Sequence, residues 1–310
     1  MRRILCTGFL LVGLSACQEE STAPKPNALS KESPSTNRPP DSVVAAQAIA
    51  PMPKDIYQRF VWYGNKTKKQ LTHSTPQQIH ALYTQLIAQQ SPLLETMMTQ
   101  QTAFLDNYYA PKYWQQKCNE CIRPSALLLA KQQKMARFGL EYWEIGEGIV
   151  LIRPQADYYL KLFGADAPAD MQAYLKIRSK QDKVLDQSDA GLIISFAELG
   201  QRIHEWEQFL DTYPKSPLAK EAKIQYAMYQ NWFLLGLDNT PTYHREAEGE
   251  GAQVEPEAEA AWTKYQQRYP NSLTARLIQS TLAIPPQDYD LKQQQLQKRQ
   301  EQALGIKLNN

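Results

Sequence analysis

From residue 74 onward, apolar residues recur at the three- and four-residue spacing of amphipathic helices. Ser74-Thr75-Pro76 is typical of a helix start, and apolar positions from Ile79 to Ile87 follow at that spacing. Ser91-Pro92 repeats the start signal, which predicts a second helix and an antiparallel hairpin of the two. Further helices are predicted near 124–138, 156–163, 168–185 and 291–304. The predicted fold class is therefore mostly α, built of helical hairpins.

One stretch departs from the helical pattern. Residues 142–152 are rich in β-branched and aromatic side chains, and Gly146-Glu147-Gly148 supplies a turn in their middle. This pattern predicts one small β-hairpin near residues 141–153. Because an isolated two-stranded ribbon is marginal in water, we expect it to pack on the helices.

Six positions of a helix-turn-helix pattern recur 56 residues later in the chain. The pairs are Trp206 and Trp262, Phe209 and Tyr265, Tyr213 and Tyr269, Pro214 and Pro270, Ser216 and Ser272, and Ala219 and Ala275. The aromatic pairs are predicted to form the core of the repeats. An acidic loop at 238–256 accounts for the long period, because deleting about 20 residues leaves about 36, close to the 34 of a tetratricopeptide repeat.

This aromatic-x3-Tyr-Pro-x-Ser-x2-Ala pattern resembles the tetratricopeptide-like repeats of periplasmic lipoproteins, such as the one in the outer-membrane β-barrel assembly machinery. It also resembles the helical repeat domain of the Tol-Pal coordinator. The resemblance covers residues 196–283 and implies a helical surface that binds other proteins. Such stacks usually need three or more units and only two are clear here. Either the upstream helices complete the stack, or this is a related helical domain of another kind.

The first seventeen residues carry a different signal. Arg2 and Arg3 precede an apolar run that closes with Leu14-Ser15-Ala16-Cys17, and this is typical of a secretory signal peptide. The ending resembles the lipobox of bacterial lipoproteins. The resemblance implies removal of residues 1–16 and acylation of Cys17, with palmitate among the attached chains. Gln18 after the cysteine resembles an outer-membrane address, so we expect a lipid-anchored, periplasm-facing protein of a Gram-negative bacterium.

The segment after Cys17 predicts a tether. Residues 17–50 hold five prolines and no aromatic residue, so they bury too little apolar surface to offset the entropy of ordering. We expect a lipidated, disordered tether there, then a helical region with the small β-hairpin at 51–190. The repeats with their acidic loop would occupy 191–310.

The net charge of the mature chain limits the classes of partner that we expect. Loss of residues 1–16 lowers the basic count from 34 to 32, equal to the 32 acidic residues, so the mature chain is formally neutral. Neutrality predicts neither a nucleic-acid-binding surface nor a polybasic membrane patch. Membrane attachment is therefore expected from the lipid, and no nucleic acid is expected as a partner.

Candidate chemistry is sparse. The cysteine pair of Cys118-Asn119-Glu120-Cys121 favours a local disulfide in an oxidising compartment. A redox role stays open, although the βαβ context typical of it is missing. A metal site also stays open, although a second cysteine pair is missing. His204-Glu205 lacks the second histidine of a zinc-protease motif. We predict no catalytic residue, no metal site and no cofactor.

These features favour a non-catalytic scaffold in cell-envelope biogenesis that binds an unidentified envelope protein. One alternative is a periplasmic enzyme acting on peptidoglycan or another envelope polymer through Glu144 and Glu147. Another is a small-ligand site in an aromatic cluster, with core packing as the competing interpretation. The members of that cluster are Tyr108, Tyr109, Tyr113 and Trp114.

Overall fold

The computed structural model describes residues 51–118, 121–244, 253–285 and 287–308, without the side chains of residues 117, 118, 121 and 244. The predicted signal peptide, the lipid site at Cys17 and the tether lie outside these residues. The described residues belong to one compact unit that begins at Ile49.

The described residues are mostly α-helical, as predicted. The helices are α1 (Ile56–Leu71), α2 (Pro76–Leu105), α3 (Ala126–Ala136), α4 (Tyr158–Phe163), α5 (Ala169–Gln181), α6 (Phe196–Thr212), α7 (Ala219–Leu235), α8 (Pro256–Arg268), α9 (Leu273–Leu282) and α10 (Tyr289–Leu304). None of the helices in this part of the chain has the length and apolar character that crossing a bilayer requires.

Strands occur only as short antiparallel pairs within the described residues. The pairs are β1 (Trp114–Cys118) with β2 (Cys121–Pro124), β3 (Leu140–Glu144) with β4 (Val150–Pro154), β5 (Gln187–Ser188) with β6 (Gly191–Leu192), β7 (Gly236–Leu237) with β8 (Thr240–Pro241), and β9 (Tyr243–His244) with β10 (Gln253–Val254). The β3–β4 pair is the predicted hairpin, and it packs on α2 and α3 as expected. The other four pairs were not predicted.

Helix α2 is continuous, so the predicted hairpin at Ser91-Pro92 is wrong. Pro92 lies inside the helix and lacks the N–H of a regular turn, a defect that typically costs about 3 kcal/mol. The helix continues because Leu86, Leu93 and Met97 keep helical spacing across the proline and are all buried. Burial of this continuous stripe outweighs the local signal for a new helix start.

Two hydrophobic clusters form the core, and α2 contributes to both. The first contains Tyr83 of α2 and most of the buried side chains of α5 to α9, with two leucines of α10. It draws on residues from both sides of position 190. The second contains Phe60 of α1, Phe104 near the end of α2, and buried residues of α3 and the β3–β4 hairpin.

The repeat helices pack as two consecutive hairpins. Helix α6 packs on α7 and on α8, α8 packs on α9, and α9 also contacts α7. Helix α10 covers α7 and α9. On the upstream side α5 packs on α6 and α4 packs on α5, so the helical layer continues beyond the two units that the sequence shows.

Candidate functional site: a polar surface on the paired repeat helices

The two Tyr-Pro turns have the same backbone geometry. Tyr213 ends α6 with φ −128° and ψ 56°, and Tyr269 ends α8 with φ −132° and ψ 59°. In each turn the tyrosine N–H donates to the carbonyl four residues earlier at 2.8 Å. The following proline disfavours helical backbone at the tyrosine, which explains why both helices stop there. The repeat in sequence is thus a repeat in structure.

The six aromatic residues predicted for the repeat core lie on α6 and α8 or at the turns that end these two helices. Trp206, Phe209, Trp262 and Tyr265 are buried, and Tyr213 and Tyr269 are partly exposed beside the turns. Each indole N–H also finds a partner. The N–H of Trp206 donates to Gln181 at 3.0 Å, and that of Trp262 donates to the Phe233 carbonyl at 2.8 Å.

A buried carboxylate joins the four repeat helices. Glu207 of α6 is 9% exposed, and its Oε1 accepts from the Tyr226 hydroxyl at 2.9 Å and from the Leu273 N–H at 2.7 Å. Its Oε2 accepts from the Tyr265 hydroxyl at 3.0 Å. Leu273 begins α9, so the negative charge also lies at the favourable end of that helix dipole. Burial, and next the Glu207 carboxylate, raise the pKa of both tyrosines.

The network continues to the last helix. Because the Tyr226 hydroxyl hydrogen is used on Glu207, the Thr274 hydroxyl 2.9 Å away donates to Tyr226. The side-chain amide of Gln230 donates to Thr274 at 2.8 Å, and that of Gln300 in α10 donates to Gln230 at 3.0 Å. These buried groups are linked by hydrogen bonds, and together they fix the relative positions of α6 to α10.

Glycine permits the close approach of α6 and α8. A Cβ atom added at Gly200 would lie 3.3 Å from Cδ2 of Tyr265 and 3.4 Å from Cζ of Phe233. The helices can therefore lie side by side and present their outer edges together.

Those outer edges form what we call the α6–α8 surface: Gln201, His204, Gln208, Lys264 and Arg268. His204 stacks on Tyr269 with ring centroids 3.6 Å apart and an interplanar angle of 16°, which links the two helices at the surface. Burial lowers the pKa of His204; Glu207 opposes this and Arg268 adds to it. Gln208, Lys264 and Arg268 are exposed. The surface thus offers amides, a neutral imidazole and two cations on a rigid support.

The cysteine pair lies at the end of the β1–β2 ribbon. Cys118 and Cys121 are opposite each other in the strand register. Their side chains lie outside the described residues, so the disulfide stays a prediction.

The two glutamates of the enzymatic alternative are exposed on the β3–β4 turn. Oε2 of Glu144 accepts from the Tyr109 hydroxyl at 2.5 Å, and burial together with this carboxylate raises the pKa of Tyr109. Glu147 has left-handed backbone, φ 52°. Glu144 is therefore engaged with a tyrosine.

The aromatic cluster divides in two. Tyr108 and Tyr113 are buried in the second hydrophobic cluster, as core packing requires. Tyr109 and Trp114 stack on each other nearer the surface, with centroids 5.5 Å apart.

One polar cluster was missed by sequence reasoning. The Ser216 hydroxyl donates to Oδ2 of Asp170 at 2.6 Å, and Nε2 of the buried His80 lies 3.1 Å from the same oxygen. Burial raises the pKa of Asp170, but the Ser216 hydrogen bond and His80 outweigh it, so the net shift is downward. The carboxylate, not the imidazole, faces the serine, so this is not the order of a hydrolytic triad. The cluster ties α2 to α5 and to the α6–α7 turn.

Among the residues with described side chains, no group of three or more His, Cys, Asp or Glu is arranged to hold a metal ion. The fold and surface define a mostly α-helical protein with two hairpins in repeat. No known protein family matches the chain, and neither curated proteins nor solved structures gave a significant match.

Proposed function

We propose that this chain is an outer-membrane-anchored periplasmic lipoprotein that acts as a non-catalytic protein–protein interaction scaffold in cell-envelope biogenesis. The observation that carries the proposal is the α6–α8 surface. Its side chains are on two helices that the Glu207 network fixes in place. A preorganised surface binds with a smaller entropy cost than one that must be ordered on binding.

The chemistry of the surface favours a peptide segment of an envelope protein. The side-chain amides of Gln201 and Gln208 can each donate and accept hydrogen bonds, as a peptide backbone requires. Lys264 and Arg268 favour acidic side chains on the partner. The stacked rings of His204 and Tyr269 add a flat apolar contact.

The anchor in this proposal is acylated Cys17. The lipobox sequence supports it, and a flexible chain of the tether's length would extend roughly 30 Å from the membrane. Intact-mass analysis of the cellular protein tests this part alone. A start at Cys17 with attached acyl chains is the expected result, and an unmodified or retained leader contradicts it.

The scaffold role is tested by photo-crosslinking in cells. A photoreactive residue at Gln208 or Arg268 should give a small set of discrete adducts with envelope proteins. The matched control places the same photoreactive residue at Lys298, which is exposed on α10 and does not belong to the α6–α8 surface. Adducts that are absent at both surface positions, or identical at the control position, contradict the proposal.

A further inference from the structure

The β1–β2 ribbon projects from the body of the protein. Cross-strand neighbours Gln115 and Arg123 are exposed on one face, and Gln116 and Ile122 on the other. Exposure on both faces means that these four side chains of the ribbon face solvent on both of its sides. Ile122 is 66% exposed, the highest value among the large apolar side chains described. Contact of this much apolar surface with water is unfavourable.

An aromatic pair lies at the base of the same ribbon. Trp114 pairs with Pro124, two positions from the Gln116–Ile122 pair, so Trp114 and Ile122 share one face. Tyr109, 46% exposed, stacks on Trp114. Tyrosine and tryptophan have an apolar ring and a polar edge, and they are enriched where lipid meets water.

The chain segment that contains this ribbon is basic although the mature chain is expected to be neutral; in space, the exposed carboxylate of Glu144 also lies against Tyr109. Residues 107–140 contain six basic residues and one acidic residue. Arg123 is exposed on the ribbon itself, on the face opposite Ile122. On α3, which follows directly, Leu127 and Lys134 are exposed and lie seven residues apart, on one helix face.

We propose that the projecting ribbon, with side chains of both its faces, and the exposed face of α3 dock together on an anionic phospholipid membrane. Their residues, which we call the ribbon surface, are Tyr109, Trp114, Ile122, Arg123, Leu127 and Lys134. An apolar side chain far along the ribbon, aromatic rings at its base and flanking cations match the order of acyl, interfacial and headgroup layers. This contact is additional to the proposed scaffold and does not depend on the lipid at Cys17. It would hold the body of the protein against the membrane surface.

The test is flotation of the fragment 49–310 with lipid vesicles. This fragment contains both hydrophobic clusters and forms one compact unit, so we expect it to fold alone. It should bind phosphatidylcholine vesicles that contain about 30% phosphatidylglycerol and not vesicles of phosphatidylcholine alone. The double variant Arg123→Gln, Lys134→Gln should bind about 30-fold more weakly, because each cation near such a surface contributes about fivefold. Ile122→Ser should also weaken binding.

Matched controls separate the ribbon surface from general effects. Ile193→Ser alters another exposed isoleucine, and Lys215→Gln with Lys298→Gln removes two exposed cations elsewhere. These variants should bind like the parent, and circular dichroism should show all variants folded. No binding, equal binding to neutral vesicles, or an equal loss in the controls overturns the proposal. A second outcome also overturns it. In that outcome the fragment captures an acidic protein from a membrane-free extract, and the ribbon variants abolish this capture but leave vesicle binding unchanged. Because residues 1–48 are absent from the fragment, these results are independent of the proposed anchor.

Discussion

Removal of one hydroxyl group from the Glu207 network tests whether that network stabilises the repeats. Tyr226→Phe keeps the ring and its packing but deletes the group that donates to Glu207 and accepts from Thr274. The carboxylate would keep two of its three protein donors, from Leu273 and Tyr265. We therefore expect a loss of stability without a cavity.

The magnitude follows from the charge on the acceptor. A hydrogen bond to a buried charged group is typically worth about 1.5–3 kcal/mol, and one between neutral groups about 1 kcal/mol. Tyr226→Phe should therefore lower the free energy of unfolding by about 2 kcal/mol. In a Glu207→Gln background the acceptor is neutral, and the same substitution should cost only about 1 kcal/mol. The coupling energy of this double-mutant cycle is then about 1 kcal/mol.

Urea denaturation of the fragment 49–310, followed by circular dichroism and tryptophan fluorescence, measures these differences. Tyr289→Phe on the exposed side of α10 is the matched control and should cost less than 0.5 kcal/mol or so. A Tyr226→Phe loss no larger than the control, or one that is the same in both backgrounds, would refute the reasoning that Glu207 is a charged anchor.

Three further predictions concern backbone and charge. Gly236→Ala should cost about 3 kcal/mol in urea denaturation, because Gly236 has φ 77° and ψ −165° and its new Cβ would lie 2.5 Å from the Thr240 carbonyl oxygen. The control Gly305→Ala, with φ 63° and no atom within 4 Å, should cost about 1 kcal/mol. Pro92→Ala should stabilise the fragment by about 1–2 kcal/mol by restoring a helical N–H, and any loss would contradict our account of α2. Asp170→Asn should destabilise by about 1–2 kcal/mol at pH 7. Because the folded-state pKa of Asp170 is lowered, its contribution is complete above the unfolded value of about 3.9 and disappears as the pH falls through the folded value. A deficit that persists unchanged at pH 2 would contradict this assignment.

Features that depend on neighbouring residues could be predicted from the sequence. Thr75 caps α2 and forms a capping box with Gln78, as the Thr-Pro start indicates. The β3–β4 hairpin turns at Gly146 and Gly148, both at positive φ, which glycine tolerates. In these cases the local backbone preference and the tertiary structure agree.

Features that depend on distant residues could not be predicted. The Ser91-Pro92 signal was outweighed by burial of an apolar stripe whose partners lie elsewhere in the chain. Glu207 is joined to Tyr226 and Tyr265, which lie 19 and 58 positions away, so no local pattern distinguishes it from a surface glutamate. The β1–β2 ribbon had a weak signal. Its two short strands flank the cysteine pair, and neither shows the alternation of apolar and polar residues that indicates a strand.

Helix α2 extends about 45 Å and carries side chains of both hydrophobic clusters along its length. Because one continuous helix contributes to both clusters, unfolding of either cluster would remove packing from part of α2. A protease cut or a gene split near residue 190 would therefore not release two self-sufficient halves. Residues 51–308 should unfold in a single cooperative transition. A chimeric protein that carries the repeats would also need to include α2.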